Sequence, residues 1–158
     1  MREKPKLFIS GISQAVLSLG DKLLEAEAIG IFGSLARGDF HDRSDIDIFV
    51  VVNERKPGVD VDRLWWDRIN EALKDYQRDV TVLVYPIEGL KRIITWYVLR
   101  LASEGIFIYD KGGVKELFIR IIKTAKEAGL VEKKIGTHKV WTAPKLRLGE
   151  KLVLEVKE

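Results

Sequence analysis

The spacing of apolar residues along this chain changes several times, and each change marks an element. Between residues 7 and 27, Phe8, Ile12, Val16, Leu19, Leu23 and Leu24 recur at helical spacing, with Gly11 and Gly20 as places where that helix can divide. AIGIFG (28–33) is a short continuous apolar run, the signature of a buried strand, and SLARGDF after it opens on a cap-type serine and reads as a short helix. HDRS is a loop. DIDIFVVV (45–52) is a strand with Ile46, Ile48, Val50 and Val52 on one face and Asp45, Asp47, Phe49 and Val51 on the other. Pro57 and Gly58 punctuate the next turn. The amphipathic segment 60–76 follows, burying Leu64, Trp65, Ile69, Ala72 and Leu73. DVTVLVYP (79–86) is a third strand, 88–105 a strongly apolar helix ending at Gly105, and IFIYD a short extended segment.

The order α-β-α-β-α-β-α predicts an α/β (α+β) fold: a small mixed β-sheet covered by helices. KGG at 111–113 marks a boundary. Beyond it, 114–130 is another amphipathic helix, and HKVWTA and EKLVLEVK read as two strands joined through PKLRLG. The expected organisation is a domain over 1–110 and a helix-plus-hairpin extension over 111–158.

Composition narrows the chemistry. The 158 residues include no cysteine, which excludes disulfides and thiolate zinc sites, and only His41 and His138, which excludes a histidine-rich metal centre. No apolar stretch spans a bilayer and no secretory signal opens the chain, so a cytoplasmic location with no membrane contact is expected. Charge is unevenly placed. Residues 1–110 carry 15 Lys and Arg against 18 Asp and Glu, and residues 111–158 carry 12 against 6. The basic end is either an ordinary solvated face or a surface for an acidic partner such as RNA.

Candidate chemistry concentrates in GSLARGDFHDRSDID (33–47). Asp45 and Asp47, two apart on a strand, project from one face. Adjacent carboxylates repel, and folding alone gives no reason to keep them there. A divalent cation does, because Mg²⁺ takes carboxylate oxygens and completes its shell with water and substrate phosphates. Asp79 opens the next strand; it joins the pair as a third carboxylate if the strands at 45–52 and 79–86 are neighbours, and otherwise only ends a loop. Two cations held together in this way drive phosphoryl displacement. Gly33 and Ser34, at a strand-to-helix turn, suit close approach of a phosphate. Arg37 either faces the ligand or braces the loop through Asp39 or Asp42. His41 reads as an exposed loop residue, Trp65, Trp66 and Trp96 as core or interface, and Trp141 as packing for the hairpin or a stacking surface for a base.

Gly33-Ser34, ten residues, then Asp45-Ile46-Asp47 resembles the signature of the DNA polymerase β-like nucleotidyltransferase superfamily, and GSLARGDFHDRSDIDIFVVV resembles its minimal nucleotidyltransferases. The likeness spans about residues 10–110 and includes EGIFIYD. It implies an NTP-binding fold using Mg²⁺, with two ions expected. Asp45, Asp47 and Asp79 would be the metal-binding and catalytic carboxylates, and Ser34, with Gly33, would contact nucleotide phosphates; Arg37 and Ser44 match further signature positions. Minimal members are paired with HEPN-type toxins and are thought to transfer AMP from ATP to them. Two function classes follow: an enzyme transferring a nucleoside monophosphate to a hydroxyl of a partner, or a non-catalytic antitoxin that only binds its partner. Transfer to RNA or a small molecule is a variant of the first.

Overall fold

The structure, a computed structural model, describes residues 6–41, 43–93, 95–144 and 154–156. A four-stranded sheet in the order β3-β2-β1-β5 forms its middle layer. Strand β1 (Ala28–Phe32) is antiparallel to both β2 (Ile46–Val52) and β5 (Ile106–Asp110). β2 is parallel to β3 (Val80–Pro86), and the crossover between them is helix α3 (Val61–Ala72). The alternation in β2 does what its sequence predicts. Ile46, Ile48, Val50 and Val52 enter one apolar cluster with α1 (Ile9–Leu17) and α3, while Phe49 and Val51 enter a second on the other face. Burial on both sides is why the strand reads as an almost unbroken apolar run.

The first cluster closes around Ile12, Val16, Trp65, Ile69 and Leu73. The apolar stretch 7–27 divides at Gly20, where φ is +60, into α1 and a 3₁₀ turn over Gly20–Glu25. In the second cluster Phe49, Phe107 and Phe118 meet with ring centroids 5.0–5.5 Å apart. The ring of Phe49 lies over Gly30, where any side chain would collide with it.

Two expectations are corrected. The apolar segment 88–105 is not one helix but α4 (Ile87–Lys91), the short strand β4 (Arg92–Ile93) and α5 (Trp96–Glu104). The break falls on the β-branched run Ile93-Ile94-Thr95, which loses rotamer freedom in a helix and is at ease extended; Ile94 itself lies outside the described residues. The C-terminal hairpin also pairs differently. Its strands are β6 (Val131–Ile135) and β7 (His138–Thr142), joined by Gly136-Thr137, whereas the two described strand residues of EKLVLEVK, β8 (Leu154–Glu155), pair with β4. Val131–Ile135 escaped the sequence reading because most of it is exposed and it carries too little apolar alternation. The connecting PKLRLG, apart from Pro144, lies outside the described residues.

The turn at 111–113 is tightly held. Asp110 accepts from the backbone N–H groups of Val114 and Lys115 at 2.8 and 3.0 Å, capping α6 (Val114–Glu127). Val114, Leu117, Phe118, Ile121, Leu130, Trp141 and Val156 share the second cluster with Phe49, Leu99 and Leu101. Trp141 is buried, and its indole donates to Ser103 Oγ at 3.0 Å; Trp65 is core, while Trp66 and Trp96 are about half exposed. Each large buried side chain is worth about 1.5–3 kcal/mol, against a total stability of about 5–15 kcal/mol for a domain. A chain ending at Asp110 is therefore expected to lose cooperative unfolding, read as loss of near-UV circular dichroism and of a sigmoidal melt; a normal melt would show that residues 1–110 fold alone.

Candidate active site

β1 ends where β2, β3 and β5 begin, so four chain segments meet at one end of the sheet. Phe32 pairs with Asp47 across β1 and β2, and Asp47 pairs with Thr81 across β2 and β3. Asp47 is on the same strand face as Phe49 and thus on the side covered by α5. A cleft of about 620 Å³ opens there. It is lined by Gly33, Ser34, Arg37, Ser44, Asp45 and Asp47 from the signature segment, by Thr81 from β3, and by Tyr97, Arg100 and Glu104 from α5. Its size suits a nucleotide-sized ligand.

The carboxylate pair is under strain of a defined kind. Asp45 is exposed and Asp47 is half-buried. Burial pushes the Asp47 carboxyl above its ordinary pKa and the charge of Asp45 adds to the effect, against a lowering by the Thr81 hydroxyl beside it and by Arg37. The Tyr97 phenol is raised as well, first by burial and then by Asp47. Gly33, at φ +73, comes so close to Asp47 that a Cβ there would collide with Oδ2.

Helix α2 (Gly33–Arg37) is a single turn, closed by Gly38 at φ +86. So short a helix has a small dipole. What this turn offers an anion is the Ser34 hydroxyl and the Arg37 guanidinium more than the helix end. Arg37 is held from two sides: its Nε lies 3.3 Å from Asp39 Oδ2, and a terminal nitrogen lies 3.3 Å from Glu104 Oε2. Asp42, the other partner considered for it, lies outside the described residues. Glu104 is almost fully buried, and its second oxygen lies 3.6 Å from Arg100 Nε. Asp39 in turn accepts from Thr137 Oγ1 at 2.8 Å and lies 3.5 Å from His138 Nε2. The Thr137 hydroxyl is the chief reason its carboxyl sits below the ordinary value, with Arg37 and His138 adding to it against the opposing effect of burial. The tip of the C-terminal hairpin thus fastens the loop that follows α2.

Ser44 is buried, and its hydroxyl accepts from the His41 backbone N–H at 2.8 Å, closing the turn that delivers Asp45. Arg78 donates to the Ser44 carbonyl at 2.9 Å and pins this turn to the loop before β3. His41 is exposed, as expected, although it lines the cleft mouth.

Of the residues singled out in the sequence, the structure brings together Gly33, Ser34, Arg37, Ser44, Asp45 and Asp47. It does not bring Asp79 with them. That residue precedes β3, is exposed, and does not line the cleft; its carbonyl accepts from the Ile46 N–H at 2.9 Å. Asp39, one of the two partners the sequence offered for Arg37, braces it; sequence reasoning missed Thr81, Tyr97, Arg100 and Glu104. The i, i+4 spacing of Arg100 and Glu104 was the one local signal available, and nothing local tied that pair to the carboxylates.

A glycine-serine turn and a carboxylate pair stand at one end of a mixed sheet, with arginines opposite, in a single cleft. Residues 9–104 match the family described as nucleotidyltransferase domain. That is more than half of the chain, which therefore belongs to this family and is a nucleotidyltransferase enzyme. Among solved structures, a toxin–antitoxin complex crystallised with AMP-PNP is similar at 20% identity and a TM-score of 0.51, over 77% of this chain and 89% of that one. Two mutant forms of a toxin–antitoxin pair, MntA–HpeT, are each 18% identical with a TM-score of 0.50, over 77% of this chain and 88% and 89% of theirs. These likenesses show a shared fold. A comparison with curated proteins finds no match. Among the described residues no helix is long and apolar enough to cross a membrane.

Proposed function

We propose that this protein transfers AMP from ATP, with Mg²⁺, to a hydroxyl of a partner protein, and that the partner is a HEPN-type toxin. The observation that carries the transfer reading is the pair Asp45 and Asp47 in one cleft with Ser34 and Arg37. Both carboxylates are better off with a cation: burial and mutual repulsion work against the charge on Asp47, and a divalent ion offsets both. Their all-oxygen chemistry suits Mg²⁺, which keeps open positions for phosphate oxygens. Bound there, the ion would supply charge neutralisation and polarise the phosphoryl oxygen.

The chain's own residues supply the remainder. Ser34 offers a hydroxyl donor to a phosphate, and Arg37 offers a cation whose position Asp39 and Glu104 fix. The partner's hydroxyl oxygen attacks the α-phosphorus, the bond to the bridging oxygen breaks, pyrophosphate leaves, and the acceptor's proton passes to solvent. The choice of ATP and of a toxin partner is supported by the three neighbours in fold named above, one crystallised with AMP-PNP and each from a toxin–antitoxin complex.

A second reading, partner binding without transfer, is favoured by one feature: Thr81 rather than a carboxylate faces Asp47 from β3. Incubation of the full chain with ATP, Mg²⁺ and a HEPN-type toxin that it binds separates the two. Mass spectrometry is expected to show the partner gaining one or more AMP units. A complex that forms and gains none would leave the binding-only reading.

A further inference from the structure

The strands at the cleft differ in the donors they present. β2 brings Asp45 and Asp47 to its open end. β3 runs parallel in the register Ile46 with Val80 and Asp47 with Thr81, so the β3 residue beside Asp47 is a threonine. Thr81 lines the cleft beside Asp47. Asp79, two residues earlier, is exposed and does not line it.

The other acids of the cleft are paired with cations, although one oxygen of each, Asp39 Oδ1 and Glu104 Oε1, is buried without a hydrogen-bond partner. Asp39 is taken by Arg37, Thr137 and His138. Glu104 is taken by Arg37 and Arg100. Among the described residues no group of three Asp, Glu or His is placed to hold a metal ion. Two cations about 3.5–4 Å apart repel strongly and need anionic oxygens on both. A neutral threonine hydroxyl does not replace a carboxylate as a ligand for a hard cation, and here it stands beside the one carboxylate that two ions would have to share.

We infer that this cleft holds one divalent cation, on Asp45, Asp47 and the nucleotide phosphates, and that Thr81 is the residue that denies it a second. The inference rests on the reading that the cleft binds a nucleoside triphosphate, and it replaces the pair of ions expected from the sequence with a single one. The specificity it assigns belongs to one side chain. Thr81→Asp places a carboxylate opposite Asp47 and creates the missing ligand, whereas Thr81→Asn, neutral and of similar size, does not.

Counting bound Mn²⁺ by electron paramagnetic resonance tests this in the full chain with one equivalent of AMP-PNP. Wild type and Thr81→Asn are expected to bind one Mn²⁺ per chain, with the spectrum of an isolated ion. Thr81→Asp is expected to bind two, with the broadening that two close spins produce. Two coupled Mn²⁺ in wild type, one of them lost in Asp79→Asn, would overturn the inference and restore Asp79 as a ligand. A single Mn²⁺ in a folded Thr81→Asp would overturn the role given to Thr81. A wild-type chain that binds AMP-PNP yet holds two ions leaves the triphosphate reading standing, whereas one that binds no AMP-PNP removes both together.

Discussion

Asp47→Asn is expected to lower nucleotidyl transfer by about a thousandfold or more and, without metal, to make the protein harder to unfold. The first effect follows from the several kcal/mol of transition-state stabilisation that a metal ion provides, each ~1.4 kcal/mol being worth a factor of ten. Asparagine keeps the shape and still meets Thr81, but it has no charge with which to hold the ion. The second effect follows from the direction of the pKa shift. The folded state raises the Asp47 carboxyl, chiefly by burial, so between its unfolded and folded values the folded chain binds the proton more tightly. Stability therefore falls as pH rises through that window, and the full cost persists above it. The gain from Asp47→Asn should be present at neutral pH and fade as the medium is acidified towards the ordinary carboxylate range. Denaturant titrations of both proteins in chelator at neutral and acid pH, beside transfer assays with Mg²⁺, measure the two effects. A variant that transfers at the wild-type rate would remove Asp47 from the chemistry, and one less stable at neutral pH would show the carboxylate to be a structural anchor.

Gly33→Ala is expected to cost both stability and activity, and Gly38→Ala only stability. Both glycines bracket α2 with positive φ, +73 and +86, where a side chain costs about 1–2 kcal/mol. At Gly38 nothing lies within 4 Å of an added Cβ, so backbone strain is the whole effect. At Gly33 the Cβ would run into Asp47 Oδ2 and must push the carboxylate aside. Displacement of a catalytic group by about 1 Å costs about a hundredfold in rate. Thermal melts should then show both variants destabilised, with transfer falling about a hundredfold for Gly33→Ala alone. Equal activities in the two variants would show that the close approach of Gly33 to Asp47 plays no part in placing the carboxylate.

The hairpin that grips Asp39 belongs to the basic end of the chain, and its contribution is mechanical as well as electrostatic. Thr137 and His138 reach a carboxylate that also holds Arg37. A segment that looks like an appendage in sequence is thereby joined to the cleft through one side chain and to the core through Trp141.

What the sequence determined by itself was local. The strict alternation of 45–52 assigned each β2 side chain to its face, and the run GSLARGDFHDRSDID placed a phosphate-type turn before a carboxylate pair. Periods of two and of 3.6 arise from backbone geometry within a few residues, so they survive in the sequence. The tertiary structure alone decided which residue of β3 joins that pair. The sequence offered Asp79, the acid that opens the strand; Thr81 has the same parity, and the β2–β3 register puts Thr81, not Asp79, opposite Asp47. The same holds for Arg100 and Glu104, and for the hairpin tip on Asp39. Their partners are distant along the chain, and a contact of that kind is fixed by how whole faces fit together, which no local pattern records.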